Sequence, residues 1–192
     1  KGKKVFIQAG SGGVGTFAIQ LFKYWGCEIA TTCTYKNHQM VKDLGADIAI
    51  DYKEETFDDF IGEYDLVYDT VGDLGGIDSV AKSVKILKNN SSSHYISLNH
   101  PFLRTIDEKG ILMGVPAALS LRNKAKKFYK PINIHWSIYR PSLSGLQEIG
   151  KLIEKKKIIP VIDSSFSLLD IVKAHKKVAT SRTRGKVVVK VS

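Results

Sequence analysis

Short β-rich apolar runs alternate with stretches of helical spacing along most of the chain. Val5-Phe6-Ile7-Gln8-Ala9 reads as a strand. After a glycine-rich turn, Val14, Phe17, Ala18, Leu21, Phe22 and Trp25 recur three and four positions apart, which predicts a helix over 14–25. The same reading predicts strands at 28–33, 48–50, 66–68 and 95–98, with helices at 38–44, near 54–61 and at 77–87. Strands joined by single helices imply right-handed crossovers, so the expected class is α/β, a doubly wound parallel sheet in the order 3-2-1-4-5-6. Beyond Asn99 the rhythm loosens. It predicts a basic helix at 119–129, a sixth strand at 132–139, a helix at 143–155, and a C-terminal strand-helix-strand extension at 158–162, 168–178 and 186–191. No internal repeat or linker interrupts this order, and the polar run Asn89-Asn90-Ser91-Ser92-Ser93 is short enough for a plain loop.

Composition narrows the class without naming a function. The 192 residues are 43% hydrophobic and 25% charged, ordinary values that exclude a disordered chain. No run of about eighteen apolar residues is present to span a membrane, and Lys1-Gly2-Lys3-Lys4 leads straight into a strand rather than a signal sequence, so no secretion is expected. The formal charge of +10 comes from lysines scattered over many segments, which fits solvated helix faces better than a nucleic-acid partner. Cys27 and Cys33 flank one apolar strand and lie about 20 Å apart if it is extended. Free thiols follow, and with them a reducing compartment.

Candidate chemistry begins at Gly10-Ser11-Gly12-Gly13-Val14-Gly15, a G-x-G-x-x-G run on Gly10, Gly12 and Gly15 between the first strand and the first helix. Glycines there allow a tight turn and close backbone approach, and the open N–H groups of the helix start suit a pyrophosphate. The expected fold is therefore of the Rossmann type. In NAD-dependent proteins an acid about 20 residues past this motif takes the adenine ribose. Here Thr32-Cys33-Thr34-Tyr35-Lys36-Asn37-His38 carries none. Thr32 and Thr34 offer hydroxyls and Lys36 a positive charge to a 2′-phosphate, so NADPH is expected over NADH. The missing acid also weighs against a methyltransferase using S-adenosylmethionine.

Further stretches resemble one known family. Ala9-Gly10-Ser11-Gly12-Gly13-Val14-Gly15, Leu44-Gly45-Ala46-Asp47 with Ile50-Asp51-Tyr52, Asp65-Leu66-Val67-Tyr68-Asp69-Thr70-Val71-Gly72, and Arg184-Gly185-Lys186-Val187-Val188 follow the order seen in the quinone-oxidoreductase branch of the medium-chain dehydrogenase/reductases. Within that branch the chain is most similar to the reticulon-interacting mitochondrial NAD(P)H oxidoreductases. That likeness rests on His100-Pro101-Phe102-Leu103, Asp107, Gly110-Ile111, His135-Trp136-Ser137 and Arg182-Thr183-Arg184-Gly185-Lys186. The resemblance implies hydride transfer from NADPH to a quinone or enone without a metal, with the protein supplying position. It implies that Ser11, Gly13 and Val14 meet the pyrophosphate, Thr34 and Tyr52 the adenosine phosphate end, and Thr70 and Leu98 the nicotinamide ribose side. Ser137 and Tyr139 would line the cofactor crevice, and Arg182, Thr183 and Arg184 belong to a segment returning to the cofactor. Thr70 departs from the Asn more usual at its position.

The family also implies a β-rich, GroES-like catalytic domain ahead of the nucleotide-binding domain, whereas here the first strand already begins at Val5. The expectation is an NAD(P)-binding domain over 1–157 and a C-terminal segment over 158–192 that would pack on the missing domain. Catalytic residues are accordingly unassigned. Segments 158–162 and 186–191 are expected to expose apolar surface, or to be covered by another chain, a homodimer included. The family places such a protein in the cytoplasm or mitochondria. Two readings compete. A zinc-type alcohol dehydrogenase gains no support from two cysteines and five scattered histidines, and no Tyr has Lys four residues on, as a short-chain dehydrogenase requires. The other is a module that binds a dinucleotide without turnover.

Overall fold

The computed structural model describes residues 1–54, 58–72 and 77–191. Its elements are β1 (Lys4–Ile7), α1 (Gly15–Tyr24), β2 (Glu28–Cys33), α2 (His38–Asp43), β3 (Ile48–Asp51), β4 (Leu66–Asp69), α3 (Ile77–Lys85), β5 (His94–Ser97), α4 (Phe102–Phe128), β6 (Asn133–Trp136), α5 (Leu143–Glu154), β7 (Ile162–Ser167), α6 (Ile171–Ala179) and β8 (Lys186–Lys190). Among the described residues six strands form a parallel sheet in the order β3-β2-β1-β4-β5-β6, as the alternating pattern implies, and β7 pairs with β8 in a separate parallel ribbon.

The chain divides into two compact units. One comprises Lys1–Gly2, Ala9–Glu55 and Pro141–Ser192. Its β2 and β3 pair with Cys33 opposite Asp51, and Ile19, Ile29, Val41, Ile50 and Ile158 are buried in it. Each such side chain stabilises the fold by about 1.5–3 kcal/mol. Helix α5 begins where Ser142 accepts the Gly145 N–H at 3.1 Å, a side-chain cap that stops the helix from starting earlier.

The other unit comprises Lys3–Gln8 and Thr56–Arg140. Its strands β4, β5 and β6 pair in register, Asp69 with Ser97 and Ser97 with Trp136. Phe6, Ile7, Val67, Ile86 and Tyr95 are buried. Phe6 meets Tyr64 edge to face at 5.4 Å, an arrangement that stabilises beyond the area it covers.

The structure departs from the sequence expectations in four places. The strand expected at 158–162 is absent; β7 starts at Ile162. Gln20 takes the main chain of that segment instead, its Oε1 accepting the Ile159 N–H at 2.7 Å and its Nε2 donating to the Ile159 carbonyl at 3.0 Å. Pro160 also lacks an N–H for a ladder. The strand expected at 132–139 closes at Trp136, with Ile138 and Tyr139 exposed. The helix expected at 119–129 is the second half of α4, which breaks at Gly110 (φ 73°) and begins at Phe102. Its buried positions include Thr105, Gly114 and Ala118, small residues that leave almost no apolar stripe to read. Near 54–61 the described residues hold a 3-10 turn at Asp58–Phe60, while 55–57 lie outside the described residues.

In the C-terminal segment Ile158 is buried while Ile159, Ile162, Leu169 and Val191 are exposed, Leu169 by 96%.

Candidate functional site

In the first unit the glycine-rich turn is held from three sides. The Gly12 N–H donates to the Ala9 carbonyl at 3.0 Å, Ala9 takes a positive φ of 53°, and its N–H donates to Thr32 Oγ1 at 2.9 Å. The Gly10 N–H reaches the Thr32 carbonyl at 2.9 Å. A Cβ on Gly10 would overlap the Thr31 side chain, and one on Gly15 would lie 2.6 Å from the Gly10 Cα. The two positions therefore require glycine because the turn folds onto β2 and onto itself.

The third side is the far end of the sequence. The Gly185 N–H donates to the Ser11 carbonyl at 2.9 Å, Gly12 and Gly185 form a parallel bridge, and a Cβ on Gly13 would stand 3.0 Å from the Gly185 carbonyl. The segment 182–184 is thereby carried next to the turn. Arg182 and Arg184 are exposed and Thr183 half-buried, and the Arg184 N–H is fixed by Asp163 Oδ2 at 2.8 Å.

Helix α1 starts at Gly15 behind Val14, which provides no side-chain cap. Among the described residues no acceptor takes the N–H groups of Gly13, Val14 and Gly15. These open donors lie at the positive end of a ten-residue helix, an arrangement that favours negative charge, and Gly13 and Gly15 carry no side chain beside them.

At the end of β2, Thr34 Oγ1 accepts from Asn37 Nδ2 at 3.3 Å, and Lys36 is exposed on the 3-10 turn Tyr35–Asn37. Sequence reasoning found no acid here. The structure brings one from the neighbouring strand. Asp51 Oδ1 accepts the Lys53 N–H at 3.0 Å, and its Oδ2 accepts the Tyr35 N–H at 2.9 Å. The Lys53 N–H, then the Tyr35 N–H and the His38 and Lys53 charges, lower its pKa against the opposing effect of desolvation. The signal was present in Asp51-Tyr52, but only the β2–β3 register reveals that Asp51 lies across from Cys33. Tyr52 beside it is half exposed.

In the second unit Asp69 is fully buried at the end of β4. Its Oδ1 accepts the N–H groups of Val71 and Gly72 at 2.8 and 2.7 Å, while Tyr95 donates its hydroxyl to Oδ2. Sequence reasoning missed this function of Asp69 because its partner Tyr95 is a strand away. Thr70 Oγ1 donates to the Gln8 carbonyl at 2.8 Å, and the Thr70 carbonyl accepts Asn99 Nδ2 at 2.7 Å. The Leu98 N–H donates to the Asp69 carbonyl at 2.9 Å. His100 stacks on Trp136 with 5.1 Å between centroids and 4° between planes, and its Nε2 contacts the Ser137 carbonyl at 2.9 Å. Ser137 and Tyr139 are exposed.

Burial first, and the nearby Asp51 charge second, push the Cys33 thiol up to about 11, so it stays protonated. Among the described residues no three His, Cys, Asp or Glu side chains gather to hold an ion.

Comparisons with known proteins converge on one group. Residues 44–189 match the family model described as zinc-binding dehydrogenase. The chain is 33% identical over 194 residues to the mitochondrial NAD(P)H oxidoreductase RTN4IP1 of Danio rerio, covering 98% of this chain and 49% of the relative. It is 35% identical over 195 residues to the Homo sapiens protein of the same name, covering 99% and 48%. Among solved structures it is similar to the quinone oxidoreductase from Coxiella burnetii, with a TM-score of 0.78 and 31% identity over 100% of this chain and 54% of that one. The chain thus spans about half the length of the curated relatives it matches.

Proposed function

Since the chain belongs to the zinc-binding dehydrogenase family of the medium-chain dehydrogenase/reductases, we propose that it is the NADPH-binding part of an oxidoreductase that reduces a quinone or enone. The observation that carries this reading is the set of open N–H groups at Gly13, Val14 and Gly15, in a turn where Gly10 and Gly15 have no room for a Cβ. NADPH supplies the hydride when bound. The chain's own work is to grip and orient. Gly10, Ser11, Gly12, Gly13, Val14 and Gly15 present backbone to the pyrophosphate, and Arg182, Thr183 and Arg184 bring positive charge and a hydroxyl beside them. Thr34, Lys36 and Tyr52 receive the adenosine end. By family resemblance, Thr70, Leu98, Ser137 and Tyr139 belong to the nicotinamide side.

NADPH over NADH is supported by Lys36 and by the absence of an acid in residues 32–38 at the end of β2. Asp51 reaches the same strand end from β3 and accepts the Tyr35 and Lys53 N–H groups; Lys36 is the charge that favours the phosphorylated dinucleotide. The names of the relatives suggest mitochondria as the compartment. Calorimetry with NADPH and NADH, followed by NADPH oxidation with a soluble quinone, tests the reading. Failure to bind either dinucleotide would refute it.

A second reading, binding without turnover, is favoured by the chain's spanning about half of its relatives. NADPH binding with no acceptor-dependent oxidation would select it.

A further inference from the structure

On the face shared by β5 and β6, His94 Nδ1 stands 3.0 Å from His135 Nε2, with the rings tilted by 32°. The register explains the meeting. His94 pairs with Asn133, and His135 lies two residues further along β6, on the same side of the sheet. In a neutral pair one ring nitrogen donates and the other accepts. A second proton turns the acceptor into another donor, and two facing N–H groups then need an acceptor between them.

The surroundings make the demand sharper. Arg122 and Lys126, one turn apart on α4, act electrostatically on His135. The Arg122 Nε is shut off from solvent and has no hydrogen-bond partner, which leaves a charged donor unsatisfied. From Arg122 to Arg140 the sequence carries Arg122, Lys124, Lys126, Lys127, Lys130 and Arg140 and no Asp or Glu. An excess of donors in a stretch that carries no acid is the complement of a ligand made of acceptors.

We propose that His94, His135, Arg122 and Lys126 form an anion site that takes the phosphate group of a small phosphorylated ligand. Two imidazoles supply a charge that depends on pH, the guanidinium a fixed forked donor, and the ammonium a mobile one. Burial first, then His94, Lys126 and Arg122, hold the His135 pKa below the ordinary histidine value in the empty site. An anion reverses that electrostatic penalty, so binding and protonation reinforce each other and affinity rises as pH falls.

Sulfate is the probe for the pH profile because its charge is constant over the range, and the His135 imidazole resonance reports on this site rather than on the glycine turn. With the full chain, sulfate should raise the His135 titration midpoint and bind about tenfold tighter at pH 6 than at pH 8. Arg122→Met should weaken binding by a similar factor while leaving the melting temperature without sulfate unchanged or higher. Should that variant not fold, the exposed Lys126→Met serves for the same comparison of affinity. Inorganic phosphate in free solution should compete with sulfate. Affinity indifferent to pH, equal binding by the wild type and the variant, or binding to phosphatidic acid vesicles without binding to free phosphate would each overturn the site.

Discussion

Gly10 lies so close to Thr31 that no Cβ can be added to it without overlapping the threonine side chain. Thr31 is fully buried in β2 and β-branched, so it has little freedom to rotate away. Gly10→Ala is expected to destabilise the chain by about 1–3 kcal/mol in urea unfolding and to weaken NADPH binding in calorimetry. Adding Thr31→Ala should restore part of the stability. A Gly10→Ala chain as stable as the wild type would contradict the packing.

Acid sensitivity should be traceable to Asp65. Burial alone raises its pKa, but the Lys4 N–H at 2.9 Å and the Lys88 and Lys3 ammoniums at 3.1 and 3.2 Å outweigh it and hold the carboxyl below the usual range. Because the folded value is the lower one, this stabilisation is complete above about pH 5 and is lost as pH falls through the folded pKa. Asp65→Asn should flatten that part of the stability profile. Parallel losses in mutant and wild type below pH 5 would refute the attribution.

The two cysteines should differ in reactivity. Cys33 is buried and its thiol is pushed up to about 11, whereas Cys27 is half-buried. At pH 8 iodoacetamide should label Cys27 well before Cys33, as read by mass spectrometry, and unfolding should abolish the difference. Faster labelling of Cys33 in the folded chain would show that it is not shielded.

Lys36 is exposed on the 3-10 turn that follows β2, where the proposed 2′-phosphate contact would be made. Lys36→Glu is expected to cost about tenfold in NADPH affinity and to leave NADH nearly unchanged. Equal effects on both dinucleotides would remove Lys36 from the selectivity argument.

Local pattern made β1 through β5 and helices α1, α2 and α3 legible, since period and turn residues agree along each segment. The glycine turn was legible for the same reason: Gly10, Gly12 and Gly15 sit where a strand gives way to a helix. What escaped was non-local. Asp51 enters the end of β2 through strand register, and Asp69 acquires its function from Tyr95 on the next strand. The first half of α4 escaped because Gly114 and Ala118 bury surface without large apolar side chains, while Gly110 and Pro116 read as breakers. Segment 158–162 looked like a strand because apolar residues recur there, yet its polar main chain is spent on Gln20.

The bond from the Gly185 N–H to the Ser11 carbonyl joins positions separated by nearly the whole chain. During synthesis Gly185 follows Ser11 by more than 170 residues, so the turn is made long before the residue that clamps it. Until Gly185 arrives, the Ser11 carbonyl lacks this donor and the turn is held only by its bonds to Ala9 and β2.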